Sequence, residues 1–228
     1  MKPVRCMLSK PNMTPRIYLI LILVLPLPLV AQSNPWLAWD ADVVTALNTA
    51  ADSEYLNEEE KKVILFMNMA RHDGPLFAET FLTAYMLENQ QEKNSYTRSL
   101  HKDLKKITGL TPLLPEEDLT AIAQGHAQKS GEKGTTGHSD FKKRFEPYMG
   151  KPYNHVGENC SYGYEQAIDI VISLLIDEGI KSLGHRNNIL SPDFNSIGVA
   201  IRPHKKYRTN CVMDFGSMDR SAMNDLPY

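Results

Sequence analysis

Cysteine, excess charge and long apolar runs are all in short supply in this sequence. Cysteine occurs three times in 228 residues, at Cys6, Cys160 and Cys211. That leaves one intrachain disulfide at most once the N-terminus is set aside. The formal net charge is −2 and the pI is near 6.4. No basic surplus recommends nucleic acid or an anionic membrane as a partner. The one strong apolar run, Ile17 to Val30, is short for a membrane span and contains Pro26 and Pro28. No internal repeat or linker divides the chain, and 42% hydrophobic residues over this length suffice for one solid core. Two catalytic signatures are missing as well. No metalloprotease helix motif is present, and Ser139, beside His138, has no nucleophile-elbow pattern around it.

What is there begins with a leader. Lys2, Arg5, Lys10 and Arg16 precede the apolar run, and Ala31-Gln32-Ser33 offers small residues for cleavage. Residues 1–33 read as a signal peptide, which places the mature chain outside the cell or in the periplasm or cell envelope. Cleavage removes those four basic residues and no acidic one, taking the net charge from −2 to −6. Cys160 and Cys211 then remain in an oxidising compartment, which favours a disulfide between them; two buried free thiols are the alternative.

The mature chain starts with an extension, residues 34–56, in which residues 42–50 suggest a short helix and Trp36 and Trp39 suggest either an anchor or an exposed patch. Asn57 with Glu60 three residues on forms a helix-start signature. Val63, Phe66, Met67 and Ala70 then repeat at helical spacing. Gly74-Pro75 breaks that helix. Phe77, Phe81, Ala84 and Tyr85 mark a second, Leu100, Leu104 and Ile107 a third, and Thr111 to Pro115 an extended connector. Residues 116–130 form another helix, on whose apolar stripe His126 falls as a satisfied core histidine. A short strand at 156–161 precedes a strongly apolar helix from Glu165 to Gly179, with Gly179 as its terminator. Glu165, Asp169, Ser173 and Asp177 form a polar stripe along it, which is either a solvated face or the border of a site. Ile197, Val199, Ile201 and then Tyr207, Thr209, Cys211, Met213, Phe215 alternate, so a β-hairpin closes the chain, with His204 solvated in its turn. A polar tail, residues 218–228, follows.

Chemistry concentrates at three turns around the apolar helix: Gly137-His138-Ser139-Asp140, Gly157-Glu158-Asn159-Cys160 and Gly184-His185-Arg186-Asn187-Asn188-Ile189-Leu190. Imidazole and carboxylate are the usual ligands of a zinc-type cation and the usual acid/base groups. Spacing alone does not make the set specific. Arg186, Asn187 and Asn159 read as braces for the turns.

These stretches, with Phe194-Asn195-Ser196-Ile197-Gly198-Val199 and Asp214-Phe215-Gly216, resemble the CAP superfamily in order and spacing. Its module, the SCP domain, occurs in cysteine-rich secretory proteins, antigen 5 and pathogenesis-related proteins, and the likeness is to bacterial-type members over residues 57–217. The resemblance implies an α+β fold, a single α-β-α sandwich with a central, mainly antiparallel sheet. It also implies a cleft of two His and two acidic residues that can take a divalent metal, zinc first. His138, Glu158 and His185 match three of those positions. The fourth aligns with Ser173, so Asp177, one turn on, is taken as the substitute. A secreted module that binds a protein or a small amphipathic or lipid ligand is the leading expectation. A metal-assisted hydrolase and a structural scaffold with a vestigial cleft are the alternatives.

Overall fold

The computed structural model describes residues 34–219; the expected signal peptide and most of the tail lie outside them. After a 3₁₀ turn, Pro35–Ala38, come α1 (Ala41–Leu47), α2 (Glu58–His72), α3 (Gly74–Phe77), a π turn (Ala78–Leu82), α4 (Thr83–Glu88) and α5 (Ser95–Leu104). The rest is β1 (Leu114–Pro115), α6 (Glu117–Lys133), α7 (Phe141–Phe145), β2 (Tyr153–Tyr162), α8 (Ala167–Ile176), α9 (Gly184–Ile189), β3 (Ser196–His204) and β4 (Arg208–Met218). The sheet order is β1-β3-β4-β2, antiparallel except where β1 runs beside β3. One layer, α6 with α7, covers one face of the sheet. The other, dominated by α2 and α8, covers the opposite face. The architecture is the expected α-β-α sandwich.

The larger core lies on the α2/α8 side, where Val63, Met67, Val171, Leu175, Ile197, Val199, Cys211, Met213 and Phe215 are buried together. The Asn57 helix start is a complete capping box: the Asn57 side chain accepts from Glu59 and Glu60, and the Asn57 amide donates to Glu60 at 2.8 Å. Glu60 does more than the local pattern requires. Its other oxygen accepts from the Ile201 amide and the Arg202 guanidinium, both at 2.8 Å, which pins α2 to β3. Arg71 near the end of α2 is fully buried and donates to the carbonyls of Thr111, Ile189, Ser191 and Phe194. Burial lowers its pKa to about 10, so it stays charged at neutral pH while tying the α9–β3 connection to α2. Trp39 is buried as an anchor, its indole N–H donating to Thr80, whereas Trp36 stays 40% exposed.

The α6 side is built on small residues. Ala123, Ala127, Cys160, Ala200 and Val212 meet there, and Gly198 lets the helix sit directly on β3. A Cβ at Gly198 would fall 2.1 Å from the Leu119 carbonyl carbon and the Thr120 nitrogen. This close approach seals the row Glu158–Asp214–Gly198, which crosses three strands in register.

Three expectations need correction. Cys160 and Cys211 are free thiols, not a disulfide. Cys160 faces Val212 across the β2–β4 pair and Cys211 faces Ser161. Successive side chains alternate across a sheet, so the two thiols lie on opposite faces, one in each core. Burial pushes both well above the ordinary thiol range. His204 is buried, not solvated: it bonds the Thr135 carbonyl through Nε2, and its Nδ1 accepts from the Lys206 and Tyr207 amides. The apolar helix already stops at Ile176, where Asp177 takes the left-handed position with φ 56°; Gly179, at φ 84°, lies in the turn beyond.

Gly198→Ala should lower the free energy of unfolding by about 2–4 kcal/mol, because backbone rather than a yielding side chain blocks the new methyl. Urea denaturation checks this, and a loss under about 0.5 kcal/mol would mean that the α6–β3 approach is soft.

Candidate functional site

Glu158 stands on β2, the edge strand, facing the α6 layer and 6% exposed. Several elements converge on its carboxylate. His138 comes from the loop after α6, which Gly134 ends in a left-handed turn. Its Nδ1 lies 2.8 Å from Oε1. Arg144 of α7 donates to Oε1 at 3.0 Å and sits 2.7 Å from Oε2. His126 of α6 approaches Oε1 to 3.9 Å, but its Nε2 is 2.9 Å from the Gly137 carbonyl and so donates there. Burial alone would raise the Glu158 pKa; the bonds from His138 and Arg144 and the neighbouring positive charge outweigh it and bring the value to about 2.

Asp214 lies directly across from Glu158 on β4, completely buried, with the Glu158 carboxylate as the hydrogen-bonding neighbour of its carboxyl. Burial, then the nearby Glu158 charge, pushes its pKa well up. Two such close carboxyls do not both ionise at low dielectric, so Asp214 is the protonated member.

A second pair lies at the other face of the same strand. Asp177, 2% exposed, accepts from the amides of His185 and Arg186 through Oδ2 at 2.9 and 3.3 Å. Its Oδ1 is 2.7 Å from His185 Nδ1. The left-handed turn that ends α8 thus aims one carboxylate at the start of α9 and at the imidazole beside it. Asn159 of β2 donates to the His185 carbonyl and accepts from Asn188, which ties α9 to the strand. Arg186 is buried and donates to the Leu175, Ile176 and Tyr96 carbonyls, Ser99 and Asp103. Arg186, Asn159 and Asn187, which donates to Ser182, are braces, as their sequence context suggests.

Each carboxylate can only accept, so His138 and His185 both carry a proton on Nδ1, and in the neutral ring Nε2 is the lone pair. A carboxylate on the far nitrogen of an imidazole is the usual support of a metal-binding or proton-accepting histidine.

Over residues 98–215 the chain matches the family described as "Cysteine-rich secretory protein family", CAP. The chain belongs to the CAP family. Among solved structures it is similar to an outer surface protein from Borrelia burgdorferi, with 24% identity, TM-score 0.41, and coverage of 54% of this chain and 90% of that one. A cysteine-rich secretory protein from Staphylococcus aureus shows 18% identity and TM-score 0.36, covering 56% of this chain and 40% of that one. Venom allergen-like protein 4 from Schistosoma mansoni shows 14% identity and TM-score 0.45, covering 72% and 91%. No curated protein sequence matches.

The four residues expected at a CAP cleft are thus drawn into two pairs, His138–Glu158 and His185–Asp177. Among the described residues, the group of three whose ligand atoms lie within 4.8 Å of one another is His126, Glu158 and Cys160. On spacing that group could hold a metal. As folded, His126 Nε2 donates to a carbonyl and the Cys160 thiol is held neutral by burial. Sequence reasoning gave Arg144 no role and named Asp214 only as part of the Asp214-Phe215-Gly216 stretch. A further signal for Asp214 was its place on the second face of β4, where Asn210, Val212 and Gly216 share its parity. The polar stripe on α8 divides: Asp177 enters the site, Ser173 bonds its own helix, and Asp169 points to a cavity by Trp36.

Asp214→Asn should stabilise the protein at pH 7, because an amide keeps a donor without needing a proton. A raised carboxyl pKa contributes stability fully present below the unfolded value and lost as pH rises above it. The gain, about 1–3 kcal/mol at pH 7, should therefore shrink to near zero below about pH 4. Urea midpoints across pH measure it; a gain independent of pH would show Asp214 ionised in the native protein.

Proposed function

We propose that this CAP-family chain is a secreted binding module whose histidine–carboxylate site takes a divalent cation, zinc first. The observation that carries this reading is the pairing of two accessible imidazoles with two buried carboxylates. The His138 and His185 side chains are 49% and 22% exposed, whereas those of Glu158 and Asp177 are each 1% exposed. The donor set fits a zinc-type ion: neutral imidazole nitrogens as ligands, with water completing the shell. Glu158 and Asp177, whose oxygens are already engaged, serve as orienting groups. Bound zinc would supply Lewis acidity at that position.

The α6–α7 face, on which the His138–Glu158 pair lies, offers a place for an organic ligand. A cavity of about 360 Å³ is lined by Ile122, His126, Arg144, Pro147 and Tyr148 among others. Its apolar walls beside the Arg144 guanidinium suit a small amphipathic or lipid molecule with an anionic end. Partner proteins remain the other class that a CAP module serves. Among the described residues no helix is long and apolar enough to cross a membrane.

Zinc titration by calorimetry tests the cation. Binding should weaken between about pH 7.5 and about pH 5.5, since protons compete for imidazole. It should be lost in His138→Ala/His185→Ala and kept in Cys160→Ala. Asp177→Asn should cost about 10–100-fold in affinity through loss of orientation. Equal binding by wild type and the double histidine variant would remove these residues from the account.

A further inference from the structure

Away from Glu158, α2, α4 and α8 leave a cavity of about 170 Å³ that the Pro35–Ala38 turn covers with Trp36. Phe66, Phe81 and Tyr85 supply its aromatic wall with Trp36; Glu88 and Asp169 supply the opposite, acidic one. The Trp36 ring meets Phe81 edge-on at 4.9 Å and Phe66 at 5.6 Å, so the tryptophan is fixed in place although 40% exposed. Burial first, and then the charge of nearby Glu88, raises the pKa of Asp169. Among the described residues neither carboxylate has a basic partner. Glu88 is exposed and Asp169 partly buried. The pair shares the cavity with the four aromatic side chains.

We propose that this cavity binds a quaternary ammonium group of the choline type. Aromatic rings attract a cation through their quadrupoles, and methyl groups on nitrogen let it shed water cheaply. The two carboxylates complement its charge. A small metal ion would find two carboxylates but no further oxygen shell, and a fatty acid would bring its own carboxylate against Glu88 and Asp169. The volume holds a trimethylammonium head but falls below the roughly 300 Å³ of a drug-sized site. The site uses none of the residues of the cation reading above and stands or falls separately.

The test titrates the purified protein with choline, by calorimetry and by Trp36 fluorescence. The comparison ligand is the neutral isostere of choline, in which tert-butyl replaces trimethylammonium. Saturable choline binding on the order of millimolar is expected, with the neutral analogue about tenfold weaker or silent. Glu88→Gln/Asp169→Asn should weaken choline about tenfold and Trp36→Leu about threefold, each measured on protein whose circular dichroism shows it folded. Co-sedimentation with phosphatidylcholine vesicles, against phosphatidylglycerol vesicles, tells whether a lipid headgroup or a free cation is the natural source. No binding of choline or of phosphatidylcholine vesicles, equal binding of the neutral analogue, or an unaffected carboxylate variant would each overturn the proposal.

Discussion

Burying the Glu158 carboxylate is the constraint around which the α6 side of this protein is arranged. A charge taken from water costs several kcal/mol unless it is paired and hydrogen-bonded. Arg144 from α7 and His138 from the preceding loop provide the partners, and α6 brings His126 close behind them. The helix comes that near because Gly198 and the small residues beside it let it rest on β3. One carboxylate therefore ties together the end of α6, the His138 loop, α7 and the edge strand. Its neighbour Asp214 is sealed beneath the same helix and adds no second charge.

The same device is used again on the other face of β2. Asp177 adopts the left-handed conformation that ends α8, and from there its carboxylate caps α9 and holds His185. Local backbone geometry thus becomes ring orientation. Both histidines are fixed through Nδ1, which leaves Nε2 of the neutral ring as the nitrogen open to a cation or a proton. The structural-scaffold alternative shares these bonds. It differs in having no use for two outward lone pairs at partly exposed positions.

Much of the fold was legible because its signals are local. Asn57 and Glu60 mark the start of α2 by a reciprocal pair of hydrogen bonds three residues apart. The alternation from Ile197 to Phe215 could only be a hairpin. The residues of α8 are apolar nearly all round because the helix is buried. What was not legible depends on register and on long-range approach. Counting cysteines in an oxidising compartment suggests a disulfide, but parity on paired strands separates Cys160 from Cys211. His204 looks like a turn residue until β3 extends through it and the Thr135 loop closes over it. Arg144 carries no motif of its own; only the docking of α7 gives it a role. Glu158 and His185 were found through resemblance, whereas the reason each histidine has a carboxylate, and which nitrogen it engages, came from geometry.

The central claim is that buried carboxylates fix His138 and His185 as Nδ1–H tautomers with Nε2 unprotonated. Nitrogen-15 correlation spectra of the imidazole side chains at neutral pH, assigned with the two single alanine variants, measure this directly. The account predicts an Nδ1-protonated ring at both positions, the less common tautomer for a free histidine, and its loss at His185 in Asp177→Asn. Nε2-protonated rings at both positions would contradict it, since neither nitrogen facing outward could then accept a cation.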